Sequence, residues 1–153
     1  MKNAKIKMVE ITSKPASLRE AIAEGKIYLK KSTIEQIRNQ TIQKGDPIQA
    51  AELAGIMAVK QTSQLIPLCH PLSITHIKIN INLEENFAKV RCAVKSIGQT
   101  GVEMEALTGV SIALLTIWDM TKPLEKDDQG QYPTTSITEI KVIEKKKRDF
   151  KSL

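Results

Sequence analysis

Cysteine, aromatic residues and long apolar runs are scarce in this sequence of 153 residues, and each scarcity excludes something. The two cysteines, Cys69 and Cys92, sit in no C-x-x-C pair, so neither a disulfide scaffold nor a thiolate metal cage is expected. No apolar run approaches the roughly 18–20 residues that a bilayer span needs, and the opening Met1-Lys-Asn-Ala-Lys-Ile-Lys lacks the apolar stretch of a secretory signal. The expected compartment is the cytoplasm. Repeats and low-complexity segments are absent, as are G-x-x-x-x-G-K-[ST] and G-x-G-x-x-G, so a bound nucleotide would not sit on a P-loop or a Rossmann turn. What remains is 41% apolar residues in 17.0 kDa. At that mass folding buries about 69% of the extended-chain surface, enough for a single core over residues 1–153.

The net charge of +6 could be a nucleic-acid footprint, so its position matters. Residues 1–7 contribute +3 and residues 141–153 contribute +4, which leaves −1 for residues 8–140. The excess lies at the ends, and Lys145-Lys146-Lys147-Arg148 reads as a solvated tail.

Strands and helices alternate along the chain. Ser17-Leu-Arg-Glu20 has the form of a capping box opening a short helix that Gly25 would stop, followed by a short strand over 26–30. Ser32-Thr-Ile-Glu35 is a second box, for a helix toward residue 42. Asp46-Pro47 starts a third helix, with Asp as cap and Pro where its missing N–H costs nothing. That helix carries Ala50, Ala54 and Ala58 beside Ala51 and Gly55, a ridge that admits another backbone, and ends near Gln64. Residues 73–83 and 87–95 alternate apolar and polar across Glu84-Glu85-Asn86, the pattern of an antiparallel hairpin with one wet face. That wet face offers Lys78, Asn80, Asn82, Lys89, Arg91 and Lys95 with only Phe87 for stacking, which argues against an RNA-binding sheet. Thr100-Gly-Val-Glu103 reads as a box opening a helix to about Met120, before Pro123. This helix is apolar around nearly its whole circumference, which calls for a neighbouring subunit. A polar loop over 124–134 and a strand over 135–144 complete an α+β domain, an antiparallel sheet with helices on one face.

The most unusual local feature is Pro67-Leu-Cys-His-Pro71, whose prolines hold His70 extended in a stiff loop. The plain reading is a turn whose imidazole bonds a backbone carbonyl or caps a helix; the functional one is a fixed binding or catalytic group. Zinc is not expected, because the remaining candidates Cys92 and His76 fall on opposite strand faces. Glu105, Thr108 and Asp119 project to one side of the last helix, yet Glu105 and Asp119 are about 21 Å apart along its axis. They line a long ligand or belong to two sites completed by different subunits. Asp119 and Lys122 are an ordinary helix-end ion pair or, partly desolvated, a tunable acid/base. Lys44, in Lys44-Gly45-Asp46, stands just ahead of the helix cap, where helix N–H groups favour anions.

Met8-Val-Glu-Ile, Lys44-Gly-Asp46, Ala54-Gly55 through Lys60, Leu65-Ile-Pro-Leu-Cys-His-Pro-Leu72, Thr100-Gly-Val-Glu-Met-Glu-Ala-Leu-Thr108 and Asp119-Met-Thr-Lys122 together resemble, in order and spacing, the cyclic pyranopterin monophosphate synthase (MoaC) family. The resemblance spans roughly residues 8–126. It implies a single ferredoxin-like α+β sandwich, with residues 1–7 and 145–153 as basic tails, in a hexamer built as a trimer of dimers with active sites at the interfaces. The implied reaction converts a cyclised dihydro-GTP to cyclic pyranopterin monophosphate with loss of diphosphate, in molybdenum cofactor biosynthesis. By position, Asp119, Lys122 and Lys44 match the catalytic set. Leu68, Cys69, His70, Met104 and Glu105 match substrate-binding segments, joined by Glu103, Thr108, Lys60, Arg19 and Glu10. The implied roles give Lys122 an ammonium depressed in pKa by neighbouring cations, with Asp119 orienting it. No resident metal or cofactor is implied, with Mg2+ at the triphosphate as an open option; neither a nucleic acid nor a membrane is an implied partner. The chain departs from the family's pattern at Glu10, where an Asp is usual, at Asp127-Asp128, and in Lys145–Phe150, which replaces a Gly-rich segment.

Overall fold

Alternation along β1 (Ser17–Tyr28) settles the architecture: Ala21, Ala23, Gly25 and Ile27 are buried while Glu20, Ile22, Glu24 and Lys26 lie partly exposed on the other face. The computed structural model describes residues 4–149, so the ends of the two expected tails, 1–3 and 150–153, lie outside the described residues. The helix expected from Ser17 is therefore corrected to a strand. Its Leu, Ala and Glu content favours a helix locally, but β1 pairs antiparallel with two neighbours at once, and those ladders outweigh one local cap.

After β1 come α1 (Lys31–Arg38), α2 (Pro47–Lys60), a single turn α3 (Thr62–Leu65), β2 (Ile74–Leu83), β3 (Phe87–Gly98), α4 (Glu103–Glu125) and β4 (Ser136–Arg148). The sheet order is β2-β3-β1-β4 with every pairing antiparallel. With α2 and α4 packed on one face, this is the expected α+β sandwich of ferredoxin-like form. Lys145–Arg148, expected in a tail, are the last residues of β4 and pair with Leu18–Ala21 of β1. They remain exposed, but the ladder orders them.

Local chemistry explains the helix ends, and departs from the expected boxes. Asp46 caps α2 as expected, its Oδ1 accepting from the amides of Ile48 at 2.8 Å and Gln49 at 3.3 Å. α2 stops at Lys60 rather than Gln64, where the Thr62 hydroxyl donates back to the carbonyls of Ala58 and Val59. Neither α1 nor α4 has a side-chain cap on its N-cap residue, Lys30 or Val102. In place of a Ser32 box, the Lys30 amide donates to the carboxyl of Glu125, 3.2 Å from each oxygen. Glu103, expected to cap α4, pairs with Lys145 instead. α4 also runs through Pro123 to Glu125, beyond the expected stop near Met120. An interior proline costs a helix about 3 kcal/mol relative to Ala, so tertiary contacts must hold this last turn.

The α2–α4 seam uses Ala51, Gly55 and Ala58, all buried, rather than the row Ala50, Ala54, Ala58. A Cβ on Gly55 would lie 3.0 Å from the carbonyl oxygen of Gly109, and one on Gly109 would lie 2.8 Å from Cys92 Sγ and from Val59 Cγ2. The two helix backbones thus meet over β3. Gly109→Ala is expected to lower stability by about 1–2 kcal/mol, because forcing those neighbours apart exceeds the gain of about 1 kcal/mol in helix propensity. A urea midpoint unchanged from that of the parent would show that the seam relaxes freely.

The opposite sheet face is wet and charged, and three of its cations are paired across strands. Lys95 meets Glu20 at 2.9 Å, Arg91 meets Glu24 at 3.8 Å and Lys26 meets Glu139 at 3.0 Å. Phe87 packs on Tyr28, under the Lys26 ammonium.

Candidate active site

The chemistry gathers at the two ends of α4. Near its C-terminal end Asp119 is bracketed by two lysines: Lys122 Nζ lies 2.8 Å from Oδ1 and Lys44 Nζ lies 2.9 Å from Oδ2. Lys122 reaches Asp119 because residues three apart share a helix face. Lys44 arrives from the loop before α2 and also donates to the Asp119 backbone carbonyl at 3.1 Å. Hydrogen bonds from Lys122 and then Lys44 pull the Asp119 carboxyl down to about 2. The same pair raises Lys122, through the hydrogen bond to Asp119 and its charge. The expectation of a depressed Lys122 is thus corrected: the carboxylate at its side outweighs the neighbouring cation, and Lys122 holds its proton.

At the N-terminal end of α4, a hollow of about 610 Å³ is lined by Leu68, Cys69, His70, Glu103, Met104 and Glu105, with Lys14 and Thr100 at its wall. The stiff loop Pro67–Pro71 delivers the first three and the first turn of α4 the next three. His70 Nε2 donates to the carbonyl of Val9 at 2.7 Å, since a carbonyl only accepts. The plain and functional readings of His70 therefore coexist: one ring nitrogen is anchored while the residue lines the hollow. Its carboxylates are pushed apart. Burial raises Glu105, with the charge of Glu103 adding to it. Burial also works upward on Glu103, but the hydrogen bond from Lys145 and the charges of Lys145 and Arg19 bring it net below its ordinary value. A pair of carboxyls separated in this way suits one proton-holding and one anionic role. Burial and Glu105 push the Cys69 thiol up, so it is not a ready thiolate.

Of the other expected residues, Arg19 and Glu10 border this hollow, Arg19 acting by its charge on Glu103 and Glu10 interacting with His70, whereas Lys60 lies apart from it. Arg19 Nη2 donates to the Gln99 carbonyl at 3.4 Å, and its buried Nε finds no partner among the described residues. Lys60 lines a separate hollow of about 490 Å³ with His76, joined to the first through Leu72, which lines both. The Thr108 hydroxyl turns back to the Met104 carbonyl at 2.7 Å. Glu10 accepts from the amide and hydroxyl of Thr12, which lower its carboxyl. Sequence reasoning missed Lys145, hidden in the terminal basic run, and Lys14. It also missed Glu125, a fully buried carboxyl in what was read as a loop. Among the described residues no three His, Cys, Asp or Glu side chains cluster as metal ligands, and no helix is long and apolar enough to cross a membrane.

Comparison with known proteins bears on this arrangement. The MoaC family model matches residues 8–148, which takes in both ends of α4 and every residue named above. The chain belongs to the MoaC family. This MoaC-family chain is 54% identical over 147 residues to a protein of Archaeoglobus fulgidus, covering 96% of this chain and 94% of the relative. It is 54% identical over 144 residues to one of Pyrococcus furiosus, covering 94% and 92%. Both relatives carry the name "Probable cyclic pyranopterin monophosphate synthase". A relative from Methanothermobacter thermautotrophicus, 51% identical over 145 residues and covering 95% and 91%, is named "Probable cyclic pyranopterin monophosphate synthase accessory protein".

Proposed function

We propose that this MoaC-family chain is a cyclic pyranopterin monophosphate synthase of molybdenum cofactor biosynthesis. It is a lyase acting on 3′,8-cyclo-7,8-dihydroguanosine 5′-triphosphate with release of diphosphate. The observation that carries the reading is Asp119 held between Lys44 and Lys122, in a chain more than half identical to relatives bearing that name. Forming a cyclic monophosphate from a triphosphate breaks the bond from the α-phosphorus to the leaving diphosphate and makes one to a hydroxyl of the same molecule. Cations offset charge on the leaving group, and a positioned acid/base moves the protons of the ring rearrangement.

In this reading Lys122, protonated at rest, donates and recovers a proton, with Asp119 fixing its direction. Lys44, Lys60 and Arg19 bind phosphates. Leu68, Cys69, His70, Glu103, Met104 and Glu105 hold the purine-derived end, and Glu10 and Thr108 complete the surroundings. A Mg2+ ion escorting the triphosphate would draw on phosphate oxygens and water. Glu105 and Asp119, near opposite ends of α4, lie about 21 Å apart along its axis, too far to act on the same atoms from one chain. We therefore place each site between subunits of a homo-oligomer, a hexamer built as a trimer of dimers. Exposed Leu53, Met57 and Leu115 on the outer sides of α2 and α4 support this. The proposed setting is the cytoplasm.

The test is a coupled assay with freshly made cyclised dihydro-GTP, monitoring pyranopterin and diphosphate together. Stoichiometric appearance of both is the expected result. A well-folded oligomer that yields neither would reduce the chain to a scaffold.

A further inference from the structure

The carbonyl of Asp119 is in an unusual position for a helix interior. In an α-helix it would accept from the amide four residues on, and that residue is Pro123, which has no N–H. α4 nevertheless continues past Pro123 to Glu125, and the Lys126 amide donates to the Lys122 carbonyl at 3.2 Å, so the proline is interior and not a stop. The proline ring also crowds the carbonyl four residues before it, which tilts that oxygen away from the helix axis. The group that takes up the oxygen is Lys44 Nζ, at 3.1 Å.

We propose that Pro123 is a positioning residue for Lys44: by withholding an amide hydrogen, it leaves the Asp119 carbonyl free to tether the ammonium. The inference rests on the synthase reading for its effect on turnover, but the tether is a property of the chain alone. Lys44 comes from a loop and is partly exposed, and a single contact to an exposed carboxylate would hold it weakly. Two acceptors on one residue, Oδ2 at 2.9 Å and the backbone oxygen at 3.1 Å, fix its direction as well as its distance. An ammonium has three N–H donors, so this arrangement leaves one for a phosphate oxygen.

Pro123→Ala and Pro123→Gly both restore the amide, while Ala strengthens the helix and Gly much less so. The tether predicts that both variants lose kcat/KM by about tenfold, the cost of one charge-assisted hydrogen bond, even where Ala raises the melting temperature. A second readout needs no substrate. With trace acetic anhydride and mass spectrometry, Lys44 should acetylate about threefold faster relative to Lys60 in both variants, as expected of an ammonium freed from one charge-assisted bond. Activity that follows melting temperature, or Lys44 labelling identical to the parent, would overturn the proposal. Absence of turnover in the parent would instead count against the synthase reading and leave the labelling result to decide the tether.

Discussion

Asp119→Asn is expected to lower turnover by about three orders of magnitude, as removal of a charged group that orients an acid/base commonly does. The fold should be unaffected. Asp119 is more than half exposed and its ion pairs with Lys44 and Lys122 lie at the surface, where such pairs contribute little to stability. The amide keeps the shape and one acceptor but removes the charge that both lysines share. The sign of the pH dependence follows from the shifts. Asp119 is depressed to about 2, so its contribution is present above its ordinary value and lost as pH falls through about 2. Lys122 is raised, so its contribution is present below its ordinary value and lost only as pH rises through the higher folded one. Both groups therefore stay charged across the neutral range, and neither supplies an ionisation there in the ligand-free enzyme. Of the two carboxyls at the hollow, Glu105 is the one whose net shift is upward, because burial there is not offset by a cation. An acid limb in kcat/KM lying above the ordinary glutamate range is accordingly expected to disappear in Glu105→Gln. Steady-state kinetics with the cyclised substrate check both, and an Asp119→Asn variant within tenfold of the parent would remove Asp119 from the reaction.

Comparing particular segments shows what a local pattern can and cannot convey. β2 and β3 are legible because one face is buried and period-2 alternation records that directly. The start of α2 is legible because Asp46-Pro47 caps through atoms two and three residues away. Three S/T-x-x-E sequences, at Ser17, Ser32 and Thr100, look equally local; the last two do mark helix starts, α1 and α4, but neither helix has a side-chain cap at its N-cap residue, and the first lies in a strand. Glu20 turns to Lys95 across the sheet, Glu103 to Lys145, and α1 takes its acceptor from Glu125, 95 positions beyond Lys30. A long-range cation can claim the carboxylate that a cap would use, and a long-range carboxylate can claim the amide it would satisfy, and no short window reports either. The site divides in the same way. Asp119 and Lys122 are visible as neighbours on one helix face, whereas Lys44, 75 positions away, was placed with them only by family resemblance. The direction of the Lys122 shift depends on a hydrogen bond to Asp119 that three-residue spacing permits but does not guarantee, and that bond sets it upward.

Glu125→Ala is expected to cost about 3–4 kcal/mol of stability, the largest effect foreseen for a single substitution away from the reacting groups. Its carboxyl has no exposure and accepts from three donors, two at the start of α1 and one before β4. These are the Lys30 amide at the start of α1, the Thr33 hydroxyl one turn into it, and the Thr135 hydroxyl, 2.8 Å away, just before β4. Lys30 adds a bond from Nζ to the Leu124 carbonyl at 3.1 Å. One side chain thus joins the ends of three elements at the turn that follows Pro123, where α4 lacks a hydrogen bond of its own. Alanine would leave the buried Thr33 and Thr135 hydroxyls and the Lys30 amide without their acceptor, and each stranded donor costs about 1–3 kcal/mol before relaxation. Glutamine preserves the shape but offers one acceptor oxygen and turns an NH2 toward donors. The hydroxyls can rotate to accept, so Glu125→Gln should lose only about 1–2 kcal/mol. Urea unfolding at fixed protein concentration separates the two, because any subunit association shifts both midpoints together. The loosened last turn carries Lys122, so Glu125→Gln should also lower kcat at temperatures well below its melting point. Midpoints for both variants within about 0.5 kcal/mol of the parent would mean that water replaces the carboxyl and that α4 is held by packing alone.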